Sequence, residues 1–121
     1  MGGRDFNDKA KLYNSLDTIV AKYTDTNTIE IVTGEARGAD YLGKRYALDK
    51  HLSHTEFHAQ LDKYGKSAWY RRNAQMADYV TGDGVLVAFW DGRSKGTSHM
   101  IDTARRKGIK VFVFTYGDDV I

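Results

Sequence analysis

The sequence contains no cysteine and no proline. The first absence removes disulfides, thiolate chemistry and zinc–cysteine sites together. No apolar run approaches the roughly 20 residues of a membrane-spanning helix. No charged segment followed by an apolar stretch marks a secretory signal at the start. The expectation is a cytoplasmic protein with no membrane partner. Charge of one sign is scarce too: 18 Lys and Arg stand against 16 Asp and Glu, a net of +2. Binding a phosphate backbone needs a concentrated basic surface, so nucleic acid is not the expected partner. The densest basic stretches, Arg71-Arg72 and Arg105-Arg106-Lys107, fall inside expected helices, and the second reads as a solvated helix face.

The composition is otherwise that of one soluble domain over residues 1–121. It is 41% hydrophobic and 28% charged, and the length suffices for a single core. In the absence of proline, 12 glycines punctuate the turns. Nine of them group at Gly2-Gly3, Gly34/Gly38, Gly82/Gly84, Gly92/Gly96 and Gly108.

Hydrophobic spacing predicts a helix over Asp8–Tyr23, with Leu12, Leu16, Ile19, Val20 and Tyr23 on one stripe and Asn7 or Asp8 as N-cap. A short strand follows at Ile29–Val32, then a turn at Gly34–Gly38 and a helix over Ala39–Lys50. Thr55–Ala59 is the second expected strand, with Phe57 on one face and His54, Glu56 and His58 on the other. A third helix runs over Lys66–Val80, followed by the apolar strand Val85–Trp90. A fourth helix over Thr97–Lys107 ends in cations and Gly108, favourable stop chemistry. Val111–Phe114 is the last strand. Strict helix–strand alternation predicts an α/β fold of Rossmann-like kind, a mainly parallel open sheet with helices on both faces. The start does not fit this order. Gly2-Gly3-Arg4-Asp5 reads as the turn after a strand, with no strand before it. The expectation is that a short apolar segment lies upstream, or that another chain or segment takes its place.

Ligands of open parallel sheets bind beyond the carboxyl ends of the strands. Three loops belong there: Gly2-Gly3-Arg4-Asp5, the Thr33–Asp40 stretch, and Trp90-Asp91-Gly92-Arg93-Ser94-Lys95-Gly96-Thr97. Two of them run glycine-rich into a helix N-terminus, where free N–H groups and the helix dipole favour an anion such as phosphate. Ser94 and Thr97 add hydroxyls. In the third helix Arg72 and Asn73 interrupt the apolar stripe of Trp69, Met76, Ala77 and Val80, whereas Arg71 points away. An arginine on that face needs an acceptor: Asp40 or Asp91 within the protein, or a ligand. The His54, Glu56 and His58 face lacks a further ligand of matching spacing and reads as a polar surface, so no metal is expected. Trp69, Trp90, Tyr64 and Tyr116 read as core or cleft lining.

Five ordered segments carry a resemblance. They are Gly2–Phe6, Gly34–Asp40, Tyr64-Gly65-Lys66, Arg72–Met76 and Ala88–Thr97. Together they resemble the YspA-like family of the SLOG superfamily, which also holds the DprA/Smf proteins and the LOG phosphoribohydrolases. The resemblance implies a Rossmann-like sheet and a pocket for nucleotides or their derivatives, of ADP-ribose-like kind, with no cofactor. With the rim position, it makes Gly2, Gly3, Arg4, Gly34, Arg37, Gly38, Asp40, Arg72, Asn73, Asp91, Gly92, Ser94, Gly96 and Thr97 the ligand-binding candidates. By comparison with the LOG enzymes, Arg72 corresponds to their catalytic arginine. Where their loop carries a glutamate after glycine-threonine, this chain has Met100. A thioether cannot replace a carboxylate in glycosidic cleavage, which leaves Glu35 and Asp91 as the remaining catalytic candidates beside Arg72.

The reading that follows is a binding module that senses or sequesters a phosphate-bearing nucleotide derivative. The alternative is a hydrolase cleaving an N-glycosidic or phosphate bond of such a molecule. A DNA-associated role by analogy with DprA ranks third. A homo-oligomer is compatible with the sequence.

Overall fold

A computed structural model describes residues 1–22, 29–34 and 36–117. Helix α1 spans Lys9–Val20 and starts where expected: the Asp8 carboxylate accepts the Lys11 N–H at 3.0 Å, satisfying an otherwise orphaned donor. Tyr23, the expected last residue of this helix, lies outside the described residues. Strand β1 (Glu30–Gly34) leads through a tight turn to α2 (Ala39–Asp49), and β2 (Ser53–Phe57) follows. A four-residue helix, α3 (Leu61–Tyr64), and a single 3-10 turn over Gly65–Ser67 precede α4 (Ala68–Val80). Then come β3 (Val85–Trp90), α5 (Lys95–Arg106) and β4 (Lys110–Thr115).

The fold is α/β with parallel strands and helices on both faces. β1 pairs parallel with β2, Glu30 opposite Ser53 through Gly34 opposite Phe57. β3 pairs parallel with β4, Val85 opposite Lys110 through Trp90 opposite Thr115. The strands therefore form two pairs rather than one continuous sheet. Next to β3 lies the start of the chain, where Gly2 forms a parallel bridge with Phe89.

Alternation along β3 divides the core. Leu86 and Ala88 turn to one face, where they pack with Met76 and Ala77 of α4 and Met100, Ile101 and Ala104 of α5. Phe89 turns to the other face and joins Phe6, Leu12 and Leu16 of α1, and Ala39 and Tyr46 of α2. Val85–Trp90 is thus covered by helices on both sides, as a parallel strand requires.

Most expected boundaries move by one or two residues. β2 lies at Ser53–Phe57 rather than Thr55–Ala59, and its residues from His54 to Phe57 are all half-buried, so no burial contrast marks its limits. The expected Lys66–Val80 helix begins at Ala68 instead, after a 3-10 turn over Gly65–Ser67 that follows the positive φ of 58° at Gly65.

Candidate functional site

The strand ends gather three turns at one side of the molecule. Gly2 is the link. A Cβ there would lie 2.8 Å from the Ala39 side chain, at the start of α2, and would also strike the Phe89 carbonyl near the end of β3. The carboxyl ends of β1 and β3 therefore share one rim with the N-terminal turn.

At the end of β1, Thr33 is buried and its hydroxyl lies 2.7 Å from His54 Nε2 on β2. Burial holds the His54 imidazole below its usual pKa, against the opposing pull of Glu56. Gly34 comes next, and its missing side chain matters. A Cβ would sit 2.7 Å from Arg72 Nη1, 2.8 Å from Arg72 Cζ and 3.0 Å from Asp40 Oδ2. Only glycine lets a guanidinium from α4 and a carboxylate from α2 close on the strand end together. Asp40 is 1% exposed and forms an ion pair with the Met1 ammonium at 3.3 Å. Gly38 takes a left-handed φ of 77°, and a Cβ there would collide with the Gly3 carbonyl. That carbonyl accepts the Ala39 N–H at 3.4 Å, which ties the N-terminal turn to the start of α2. Glu35 lies outside the described residues.

Helix α4 separates its two neighbouring arginines as the spacing predicts. Arg72 is 5% exposed and Asn73 1%, while Arg71 faces solvent and stacks on Tyr64 at 4.1 Å. Arg72 stacks on Trp69 at 5.4 Å, and Arg4 of the N-terminal turn stacks on the same indole at 5.1 Å. Two cations on one ring beside Gly34 concentrate positive charge at the rim. Asn73 points the other way along α4 and donates from Nδ2 to the Gly96 carbonyl at 3.3 Å. Its Nδ2 also lies 3.3 Å from His99 Nδ1. Burial, and then the charge of Arg106, lower the His99 pKa.

The loop before α5 is organised differently. Asp91 Oδ1 accepts the Arg93 and Ser94 N–H groups, each at 2.8 Å. Those bonds hold its carboxyl below the usual range. Ser94 is the N-cap of α5, its hydroxyl accepting the Thr97 N–H at 3.5 Å. Its carbonyl accepts the Trp90 indole N–H at 3.1 Å. Thr97 is buried against this cap.

The expected site residues thus fall into groups. Gly2, Gly3, Arg4, Gly34, Gly38, Asp40 and Arg72 converge. Asn73, Gly96 and Thr97 lie on the seam of α4 and α5. Asp91 and Ser94 shape their own loop, with Gly92 at its exposed tip, and Arg37 is exposed. Met100 is 3% exposed in the core beside Ile101 and Ala104. Among the described residues no three His, Asp or Glu side chains are placed to hold a metal. No described helix is long and apolar enough to cross a membrane. Sequence reasoning missed Trp69 as the shared platform of Arg4 and Arg72, since a cation–π pair between a loop and a helix has no sequence spacing. It also missed Tyr116, whose hydroxyl donates to Asp5 at 2.6 Å and closes β4 onto the N-terminal turn.

The N-terminal turn and the β1–α2 loop, which share this rim, both lie in a stretch with a known counterpart. The family model described as YspA, cpYpsA-related SLOG family matches residues 1–64. The chain belongs to this SLOG family. It is also similar to the Gene 61 protein of Mycobacterium phage D29. The identity is 31% over 118 residues, covering 93% of this chain and 91% of that protein. No solved structure matches the chain. SLOG membership accounts for the Rossmann-like arrangement of parallel strands between two helical layers. The SLOG model's match ends at Tyr64, so it covers Gly2–Asp5 and Gly34–Asp40 but not α4 or the α5 loop.

Proposed function

We propose that this SLOG domain binds a phosphate-bearing nucleotide derivative at the rim between the N-terminal turn, the β1–α2 loop and α4. The observation that carries this reading is the convergence of Arg4 and Arg72 on Trp69, with Arg72 buried against Gly34. Guanidinium groups give planar, charge-assisted hydrogen bonds to phosphate. The half-buried Trp69 indole holds the two guanidinium groups close to one another.

Binding without cleavage is the favoured form. Stabilising the positive charge that develops on a sugar during N-glycosidic cleavage calls for a nearby carboxylate. Met100, where LOG enzymes place theirs, is core, and Asp91 is engaged by two backbone amides. Sensing or sequestration follows rather than hydrolysis.

Native mass spectrometry of protein purified from cells tests the reading. A co-purifying mass that matches an intact nucleotide derivative is the expected result. For cleavage, the protein is incubated with nucleoside monophosphates, cyclic nucleotides and ADP-ribose, and base release is followed by chromatography. Turnover abolished by Glu35→Gln or Asp91→Asn would replace the binding module with a hydrolase.

A further inference from the structure

The N-terminal turn divides the rim by charge. Arg4 reaches α4, where it shares the Trp69 indole with Arg72. Asp5, the next residue, reaches the end of β4 instead. The Tyr116 hydroxyl donates to Asp5 Oδ1 at 2.6 Å, and the charges of Asp5 and Asp91 both act on that hydroxyl. One half of the rim is thus cationic and the other anionic. Arg4 and Asp5 are both exposed, so a single turn presents both signs to solvent.

The Asp5 carboxylate is held in place by a side chain that is itself fixed. The Tyr116 N–H donates to the Trp90 carbonyl at 3.1 Å. Its ring packs edge-on against Phe6, with centroids 4.9 Å apart. Burial, and then the bond to Asp5, raise the Tyr116 pKa, so the hydroxyl keeps its proton and is the donor. Gly3 makes room for the pair. A Cβ there would strike the Tyr116 hydroxyl and lie 3.0 Å from Asp5 Oδ1. The pair therefore rests against the backbone of the same turn that carries Arg4.

A carboxylate has about four acceptor positions on its two oxygens. Tyr116 fills one, and the side chain is otherwise exposed. A carboxylate repels phosphate, so this half of the rim suits another part of a ligand. Neutral hydroxyls are donors that match it, and two of them on adjacent sugar carbons can bond one carboxylate together. The Cα atoms of consecutive residues lie about 3.8 Å apart, so one ligand seated on this turn meets both Arg4 and Asp5.

We infer that Asp5, oriented by Tyr116, accepts the vicinal hydroxyls of a ribose whose phosphate lies at Arg4 and Arg72. The inference rests on the phosphate site proposed above and adds a specificity-determining residue to it. The rim selects ribose phosphates over forms that lack the sugar hydroxyls, because a bound ligand without them takes water from the carboxylate and returns no donor. Tyr116 is the positioning residue, since it sets the carboxylate and touches no ligand atom.

Titration calorimetry with AMP, 2′,3′-dideoxy-AMP and adenosine, on the wild type, Asp5→Asn, Tyr116→Phe and Arg72→Ala, tests this. The wild type should bind AMP at least roughly tenfold more tightly than the dideoxy form, the factor expected of hydrogen bonds to a charged group. Asp5→Asn should remove most of that preference by weakening AMP alone. Tyr116→Phe, which keeps the carboxylate but releases it, should lower the preference less than Asp5→Asn does. A role confined to bracing the turn would weaken both nucleotides by one factor, and that result would overturn the inference. So would a preference unmoved by Asp5→Asn, or a wild type that binds no AMP. Arg72→Ala separates this inference from the phosphate reading. Equal weakening of AMP and the dideoxy form, with their ratio kept, supports both. Adenosine bound as tightly as AMP and unaffected by Arg72→Ala would sink the phosphate site, while weaker adenosine binding in Asp5→Asn would still uphold the hydroxyl contact.

Discussion

The β1–α2 loop and the β3–α5 loop look alike in sequence, and they differ in what they do with their donors. Both leave a parallel strand, both carry two glycines, and both open a helix. In the β3–α5 loop the protein supplies its own acceptors: Asp91 takes the Arg93 and Ser94 amides, and Ser94 takes the Thr97 amide. The β1–α2 loop has no side-chain cap on α2. It is instead closed from outside by Gly3, and Arg72 and Asp40 crowd against Gly34. The proposed anion site is the first loop because Arg72 is brought against its Gly34, whereas the second loop caps its own helix through Ser94.

The largest effect that separates the loops is a glycine substitution in each. Gly38 and Gly92 both have positive φ, 77° and 82°. A Cβ at Gly92 meets nothing within 4 Å, whereas one at Gly38 collides with backbone of Gly3 and Arg4. Gly92→Ala should cost only the left-handed strain, about 1–2 kcal/mol. Gly38→Ala should add overpacking of about 1–3 kcal/mol. Urea unfolding of the two variants measures the difference, and equal losses would show that the N-terminal turn does not press on α2.

Asp91→Asn should be milder. The amide oxygen can still accept both N–H groups but without the charge assistance, a cost of about 1 kcal/mol. The accompanying pH signature is specific. Because the Asp91 pKa lies below its ordinary value of 3.8, its contribution is complete above that pH and is lost as pH falls through the lowered value. Asp91→Asn should flatten the stability curve in that acid window and leave neutral pH unaltered in slope.

The smallest effect lies beneath the other loop and at a different pH. The folded pKa of His54 is depressed from 6.5 by burial, so the unfolded chain binds protons first. Stability supplied by neutral His54 is full above 6.5 and declines as pH falls from there to the lowered folded value. His54→Gln should remove a change of some tenths of a kcal/mol in that window. The two windows assign acid sensitivity to the β1 end first and to the β3–α5 loop only later. Near-identical pH profiles for the two variants would erase that distinction.

Much of this was legible in the sequence, and the exceptions have physical causes. Val85–Trp90 is found with its exact limits, because an apolar run bounded by Gly84 and Asp91 admits one reading. The opposite fates of Arg71 and Arg72 follow from helical periodicity alone; of the two expected caps, Asn7 and Asp8, the structure has Asp8. α3 was hidden, since four residues contain no repeat from which a period can be read. The division of the sheet was hidden for another reason: alternation of elements specifies strand direction and helix layers but not which edges meet. Ser94 and Thr97 looked like donors awaiting a phosphate. A hydroxyl both donates and accepts, and in the structure Ser94 turns to its own helix. The shared use of Trp69 by Arg4 and Arg72 joins residues far apart in the chain and leaves no local pattern.

The central claim is that Arg72, and not its neighbour, holds the anion. Titration calorimetry with ADP-ribose on the wild type, Arg72→Ala and Arg71→Ala tests it directly. Loss of a hydrogen bond to a charged group should weaken binding by about 1.5–3 kcal/mol in Arg72→Ala, and Arg71→Ala, which removes only a solvent-exposed stack on Tyr64, should bind as the wild type does. Equal weakening in the two variants, or ADP-ribose affinity untouched by Arg72→Ala, would contradict the account.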